Sequence, residues 1–369
     1  MRIHSLISIS IFSILTLSPQ LWADEKRKVI IDDDSFSLMH LLLLGDESTE
    51  IVGVTSVIGN SWANRVTAYC LRGLEIAGRS DIPVVEGAMY PLLNTEARTT
   101  HWEALYGKLL WKGVWMREFV EGDTIQEAPT YFGPTDPVNL EWGNPTTEAI
   151  DEIAANFLIR MVRAHPGEIT IICGGALTNL ALAQRLDPEF ASLAKELVYM
   201  GASFNPRQTL DNAVAEQFAR EFVNSPRREF NIRIDPESAS IVARAPWKQI
   251  TIIPVDPSTD TQLTPELMAK IIEAAPQAVG DLLKQWHTGF PLWDEIAGAV
   301  WIDPSLALKQ ETLYVDFNTF WGPSYGDTLS WSEGYQPSLG EQSATVIQKV
   351  KPKGVEALII KNVGNLKNK

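Results

Sequence analysis

The stretch Lys28-Val29-Ile30-Ile31-Asp32-Asp33-Asp34 decides the fold. Three consecutive β-branched residues favour a strand buried on both faces. The run then ends in three carboxylates, which have no place in an apolar core without partners. A buried strand that gives way to polar groups at its carboxyl end is how an open parallel sheet meets its ligand crevice. Working outward, short apolar runs over Ile51–Val57, Ile169–Ile172, Leu197–Met200, Ile232–Ile234 and Ile250–Val255 predict further strands. Between them, Trp62–Ala77, Ile150–Ala164, Leu177–Arg185 and Pro236–Arg244 carry apolar residues at three- and four-residue spacing and predict helices. Strand-then-helix alternation specifies an α/β fold, a mostly parallel central sheet flanked by helices in a single domain.

Punctuation supports those boundaries. In Asp235-Pro236-Glu237-Ser238 the aspartate can cap a helix whose first position is the proline, and the same device recurs at Asp187-Pro188-Glu189 and Thr264-Pro265-Glu266. One region interrupts the alternation. From about residue 99 to 145 the chain is rich in Trp, Tyr, Pro and Gly, including Trp102, Trp111, Trp115 and Trp142. That is an insertion which either packs on the body or on a second subunit, or stacks on a sugar or a base as a lid. The domain is expected to span residues 24–350, with 351–369 as a C-terminal tail.

Residues 1–23 stand apart. Arg2 and His4 precede an apolar run from Leu6 to Leu17, and Ser18-Pro19-Gln20-Leu21-Trp22-Ala23 follows before a charged stretch. This is the layout of a cleavable signal peptide ending at Ala23, and it predicts a periplasmic or secreted protein. The run is shorter than the roughly 20 residues of a comfortable membrane span, an uncleaved anchor being the alternative.

The formal net charge is −15, and it becomes one more negative once Arg2 is removed. Such acidity argues against nucleic acid and anionic membrane surfaces as partners, since both demand basic patches. Cys70 lies in a helical pattern and Cys173 at a strand end, and both read as small buried hydrophobes without redox or metal spacing. His101, His165 and His287 have no partner spacing, and no glycine-rich nucleotide loop follows a strand.

Four segments fall at the carboxyl ends of strands. In Asp32-Asp33-Asp34, alternation sends Asp32 and Asp34 to one side, where two acids can serve a divalent cation or, alternatively, cap the next helix. Gly59-Asn60 closes the second strand, and Asn60 can cap a helix or bond a sugar hydroxyl. The Gly174-Gly175 pair lets backbone approach a ligand or lets a helix pack closely on its strand. In Trp293-Asp294-Glu295, Asp294 would stand at a helix N-terminus, where the dipole stabilises a carboxylate whether or not it binds metal.

In this order the four make a more specific pattern. The chain resembles the inosine-uridine-preferring nucleoside hydrolases from about Lys28 to Pro304. That family opens on a strand ending Asp-x-Asp-Pro-Gly-x-Asp-Asp. It continues with Thr-Thr-Val-x-Gly-Asn, a Gly-x-Leu-Thr-Asn turn, Glu-Phe-Asn before an Asp-Pro-Glu helix, and a late His-Asp. The matching stretches here are Asp32-Asp33-Asp34, Thr55-Ser56-Val57-Ile58-Gly59-Asn60, Gly175-Ala176-Leu177-Thr178-Asn179, Glu229-Phe230-Asn231 with Asp235-Pro236-Glu237, and Trp293-Asp294.

The resemblance implies hydrolysis of the N-glycosidic bond of a ribonucleoside, with one calcium ion below a ribose pocket. By position Asp34 is the catalytic base and a metal ligand. Asp32, the carbonyl of Gly174 and Asp294 complete the implied metal set. Asn60, Asn224, Glu229 and Asn231 fall on ribose-binding positions. Two departures are plain. Ser35-Phe36-Ser37-Leu38-Met39-His40 replaces the segment with the later aspartate pair, so the full family metal site cannot be built from these residues; Asp33, Ser35, Ser37 and His40 are the available substitutes. Trp293 stands where the purine-active branch has a histidine, and an indole cannot act as a general acid, though it can stack on a leaving base.

The expected activity is therefore a nucleosidase acting on a small nucleoside or related ribosyl substrate, with an altered calcium site. The alternatives are a catalytically silent nucleoside- or carbohydrate-binding protein on the same scaffold, and a hydrolase of another glycoside. Assembly into a homo-oligomer is left open.

Overall fold

Alternation along the first strand assigns the two faces of the sheet. Val29 and Ile31 belong to one apolar core and Ile30 to the other, and Val198 and Met200 are likewise separated from Leu197 and Tyr199. The computed structural model describes residues 26–117, 130–206 and 227–368. Among these, the strands are β1 (Arg27–Asp33), β2 (Thr49–Ser56), β3 (Val84–Val85), β4 (Thr170–Cys173), β5 (Glu196–Met200), β6 (Ile250–Ile253), β7 (Ala307–Phe317), β8 (Thr328–Trp331) and β9 (Gln342–Val350). They form one sheet in the order β3-β2-β1-β4-β5-β6-β9-β7-β8. From β3 to β9 every neighbour is parallel, while β7 runs antiparallel to both β9 and β8.

Helices cover both faces: α1 (Leu38–Gly45), α2 (Ala63–Ile76), α3 (Glu96–Tyr106), α4 (Ala154–Ala164), α5 (Thr178–Leu186), α6 (Phe190–Leu193), α7 (Phe230–Ile234), α8 (Pro236–Ala243), α9 (Val255–Ser258), α10 (Pro265–Ala274), α11 (Gln277–Leu283), α12 (Asp294–Ile302) and α13 (Pro352–Asn365). One core unites α1, α2, α10, α11, α12 and α13 with their face of the sheet, and the other unites α4, α5, α6 and α8 with the opposite face. None of the described helices is long and apolar enough to cross a membrane.

The chain runs from β1 to β2 and β3 on one side, then crosses over to β4 on the other, so strand order reverses at β1. Parallel sheets bind ligands at such a switch point, outside the carboxyl ends of the strands. The acidic end of β1 stands there.

Several boundaries differ from the sequence reading. Ile232–Ile234 is not a strand but most of α7, because the Glu229 carboxylate accepts from the amides of Asn231 and Ile232 and nucleates a turn that buries both isoleucines. Asp235 and Thr264 cap α8 and α10 as expected, accepting from the amides of Ser238 and Leu267. Asp187 does not start a helix at Pro188. It closes α5 and pairs with Arg163 at 2.6 Å. Beyond residue 350 the chain is not a loose tail: α13 buries Val355, Ile359 and Val363 against the core that α1 also joins. Residues 1–23, read above as a signal peptide, lie outside the described residues.

Candidate active site

Because β1 alternates, its two terminal acids face opposite layers. Asp32 turns toward α5, where Oδ1 accepts from the Thr55 hydroxyl and from Asn179 Nδ2 at 2.7 Å. Asn179 is itself fixed, donating to the Ser56 carbonyl at 2.8 Å and accepting from the Ala88 amide at 2.8 Å. Asp33 turns toward α1 and α12. Its Oδ1 accepts from the Asp34 amide at 2.7 Å, and its Oδ2 lies 3.4 Å from Ser37 Oγ and 3.6 Å from His40 Nδ1.

Asp34 has left the strand and is gripped by one residue. The backbone amide of Asn60 donates to Oδ2 and its Nδ2 donates to Oδ1, each at 2.8 Å. All three aspartates are fully buried. Asp33 is the acid that approaches Asp294 beside Gly174, while Asp32 is engaged by Thr55 and Asn179.

Gly174 shows where they meet. A Cβ on this residue would lie 2.7 Å from Asp33 Oδ1 and 3.0 Å from Asp294 Cγ, so only glycine lets the two acids approach the β4 end. The Gly174 amide donates to the Asp32 carbonyl at 2.9 Å. Its carbonyl accepts from Asn231 Nδ2 at 2.8 Å, which joins α7 to the same centre. Asp294 opens α12, as expected, and Trp293 precedes it half-buried, with Phe290 6.4 Å away. Asn224 lies outside the described residues.

Burial governs the electrostatics. It pushes Asp32 up to about 7 and Asp34 to about 6, the latter held back by the two Asn60 donors. Asp33 is raised well above the carboxylate range by burial and by Asp34, and Asp294 by burial and by Asp33. Glu229, buried, rises to about 7 despite accepting from the amides of Asn231, Ile232 and Ala202. Asp33 and Asp294 hold protons near neutrality, Asp34 is largely ionised there, and a neighbouring positive charge would lower all of them together. Burial drives His40 the other way, to about 3; the imidazole is neutral and accepts the Ser37 amide at Nδ1.

Of the implied calcium ligands, Asp32 is turned to Thr55 and Asn179 and away from Asp294. The oxygens of Asp34 and Gly174 each accept one hydrogen bond and keep a lone pair that a cation could use. Leu38 and Met39, where more carboxylate was expected, are buried in hydrocarbon, with Met39 against Gly298. Among the described residues no group of three His, Cys, Asp or Glu side chains is arranged to hold an ion.

Sequence reasoning missed Trp111, whose indole Nε1 donates to Asn60 Oδ1 at 2.9 Å. Only its place in a tryptophan-rich insertion hinted at it. The cysteines are free and buried, as read, with Cys173 Sγ 4.0 Å from Asp32 Oδ2.

Comparison with known proteins agrees with this geometry. Uridine nucleosidase 1 of Arabidopsis thaliana is 29% identical over 353 residues, covering 89% of this chain and 90% of that protein. The probable uridine nucleosidase 1 of Oryza sativa subsp. japonica is 33% identical over 222 residues, where the match spans only 55% of its length. A solved plant nucleoside hydrolase superposes with a TM-score of 0.67 at 24% identity, covering 92% of this chain and 99% of that one. The family model described as inosine-uridine preferring nucleoside hydrolase matches residues 29–357, nearly all of the described body. With the acidic β1 end, the Asn60 clasp and the Glu229–Asn231 helix turn assembled at one switch point, the chain belongs to the inosine-uridine preferring nucleoside hydrolase family.

Proposed function

We propose that this protein hydrolyses the N-glycosidic bond of a ribonucleoside, with Asp34 as the base that activates water. The observation that carries the reading is the Asp34–Asn60 clasp. A carboxylate near 6 that keeps both oxygens on amide donors is ionised and aimed at neutral pH. Family membership supplies the reaction class.

The steps follow from the chain's own residues. A water gives its proton to Asp34 while its oxygen bonds the anomeric carbon; the carbon–nitrogen bond breaks, and the base leaves with the electron pair. The transition state has oxocarbenium character. Glu229 and Asn231, set by the α7 cap, orient the ribose hydroxyls. Trp293 supplies a face for the departing base and no proton, because an indole N–H does not ionise at accessible pH.

Export through residues 1–23 is part of the proposal, supported by the apolar run and its polar flanks. The direct test is incubation with uridine and inosine, followed by quantitation of free base and free ribose. Equal amounts of both are expected; binding without release would turn the reading into a silent nucleoside-binding protein.

A further inference from the structure

We propose that Trp111 is a positioning residue for this hydrolysis: its indole N–H fixes the Asn60 side-chain amide in the one orientation that offers Nδ2 to Asp34. The inference rests on the nucleosidase reading and deepens it.

An indole nitrogen donates and cannot accept. Its 2.9 Å bond therefore identifies the near end of the Asn60 amide as oxygen and leaves Nδ2 2.8 Å from Asp34 Oδ1. Without the indole, one of the two bonds that orient the amide is lost. A flipped amide sets Oδ1 against the Asp34 carboxylate and loses the 2.8 Å bond from Nδ2. Trp111 thus selects the Asn60 orientation that keeps Nδ2 on Asp34 Oδ1.

The indole's aim is fixed by a strap, residues 107–116, which leaves α3 at Gly107. Buried Glu103 holds the near side, accepting from the Leu109 amide at 3.0 Å and from Lys112 Nζ at 2.9 Å. On the far side the Val114 amide donates to the Gly59 carbonyl at 2.9 Å. Gly113 sits at φ +54, and a Cβ there would lie 2.1 Å from the Gly59 carbonyl oxygen and 2.6 Å from the Phe230 ring. Glycine is what lets the strap close on both. The Trp111 carbonyl accepts from Arg233 on α7, and its ring meets Phe230 edge-on at 6.4 Å. Val114 and Trp115 bury their side chains with Val57, Ile58, Trp62 and Ile234. One segment therefore ties the Asn60–Asp34 clasp to the helix that carries Asn231.

Trp111→Phe keeps a ring and removes the N–H. The expected result is a fall in kcat of about tenfold with KM changed by less than about twofold and an unaltered melting curve. In an Asn60→Ala background the same substitution should cause no further loss, since the orienting bond has nothing left to orient. A second readout needs no turnover: the Trp111 indole 1H–15N resonance, identified by its disappearance in Trp111→Phe, should shift and lose exchange protection in Asn60→Ala. Wild-type kcat in Trp111→Phe, losses that multiply in the double variant, or an indole resonance indifferent to Asn60 would each overturn the assignment. A wild-type chain that releases no ribose overturns the nucleosidase reading itself, whereas an active wild type with an unaffected Trp111→Phe overturns only this inference.

Discussion

Replacing Asp32 by asparagine should stabilise the protein in alkali and not in acid. Asp32 is fully buried, and burial lifts it from 3.8 to about 7. Between those values the folded chain binds more protons than the unfolded chain, so stability falls as pH rises through the window, and the penalty is complete above about 7. At about 1.4 kcal/mol per pH unit, the part accumulated between pH ~4.5 and ~8.5 is about 3 kcal/mol. Asparagine keeps an oxygen for Thr55 and Asn179 but cannot ionise, so it escapes that penalty. Its second hydrogen-bonding atom faces only Cys173, a constant cost at both pH values that the comparison cancels. Thermal melts of wild type and Asp32→Asn at the two pH values should show the variant gaining about 3–6 °C on wild type at the higher one. If the variant instead loses ground in alkali, Asp32 is ionised and paired with a bound cation, and the account of this strand end is wrong.

Other substitutions probe other links. Ile359→Ala, in the middle of the buried face of α13, should cost about 2–5 kcal/mol in a denaturant melt, an effect a dispensable tail would not produce. Gly174→Ala places a methyl group 2.7 Å from Asp33 Oδ1 and 3.0 Å from Asp294 Cγ. Loss of kcat/KM by about 100-fold is expected in initial-rate assays, with the fold kept by circular dichroism. With Asp34 near 6, the rate should climb through pH about 6 to a plateau as the base ionises; a flat profile from pH ~5 to ~8 would remove Asp34 from the role.

The sheet could be read from sequence wherever a β-branched run ended in small or acidic residues, as at Ile31-Asp32 and Ile172-Cys173-Gly174, because burial on both faces leaves little else for such runs to do. The same logic failed at Ile232–Ile234, where a cap from Glu229, three residues upstream, outweighed β propensity. The antiparallel strands β7 to β9 were missed because β7 has a long exposed stretch of Lys, Gln and Glu without an apolar run. Asn60, Glu229, Asn231, Gly174 and Asp294 were identified from motifs and do converge. Which acid faces which was not legible: alternation at a strand end depends on where the strand stops, and β1 stops at Asp33. The link from Trp111 to Asn60 spans 51 residues and runs through a strap whose path no local pattern encodes.

Release of free ribose from a ribonucleoside, compared between wild type and Asp34→Asn, decides whether Asp34 is the base of a nucleosidase. The account predicts that wild type yields free base and ribose in equal amounts, and that Asp34→Asn, folded and still binding nucleoside, is slower by about 10²–10⁴-fold. No ribose from wild type, or the same rate from Asp34→Asn, would contradict it.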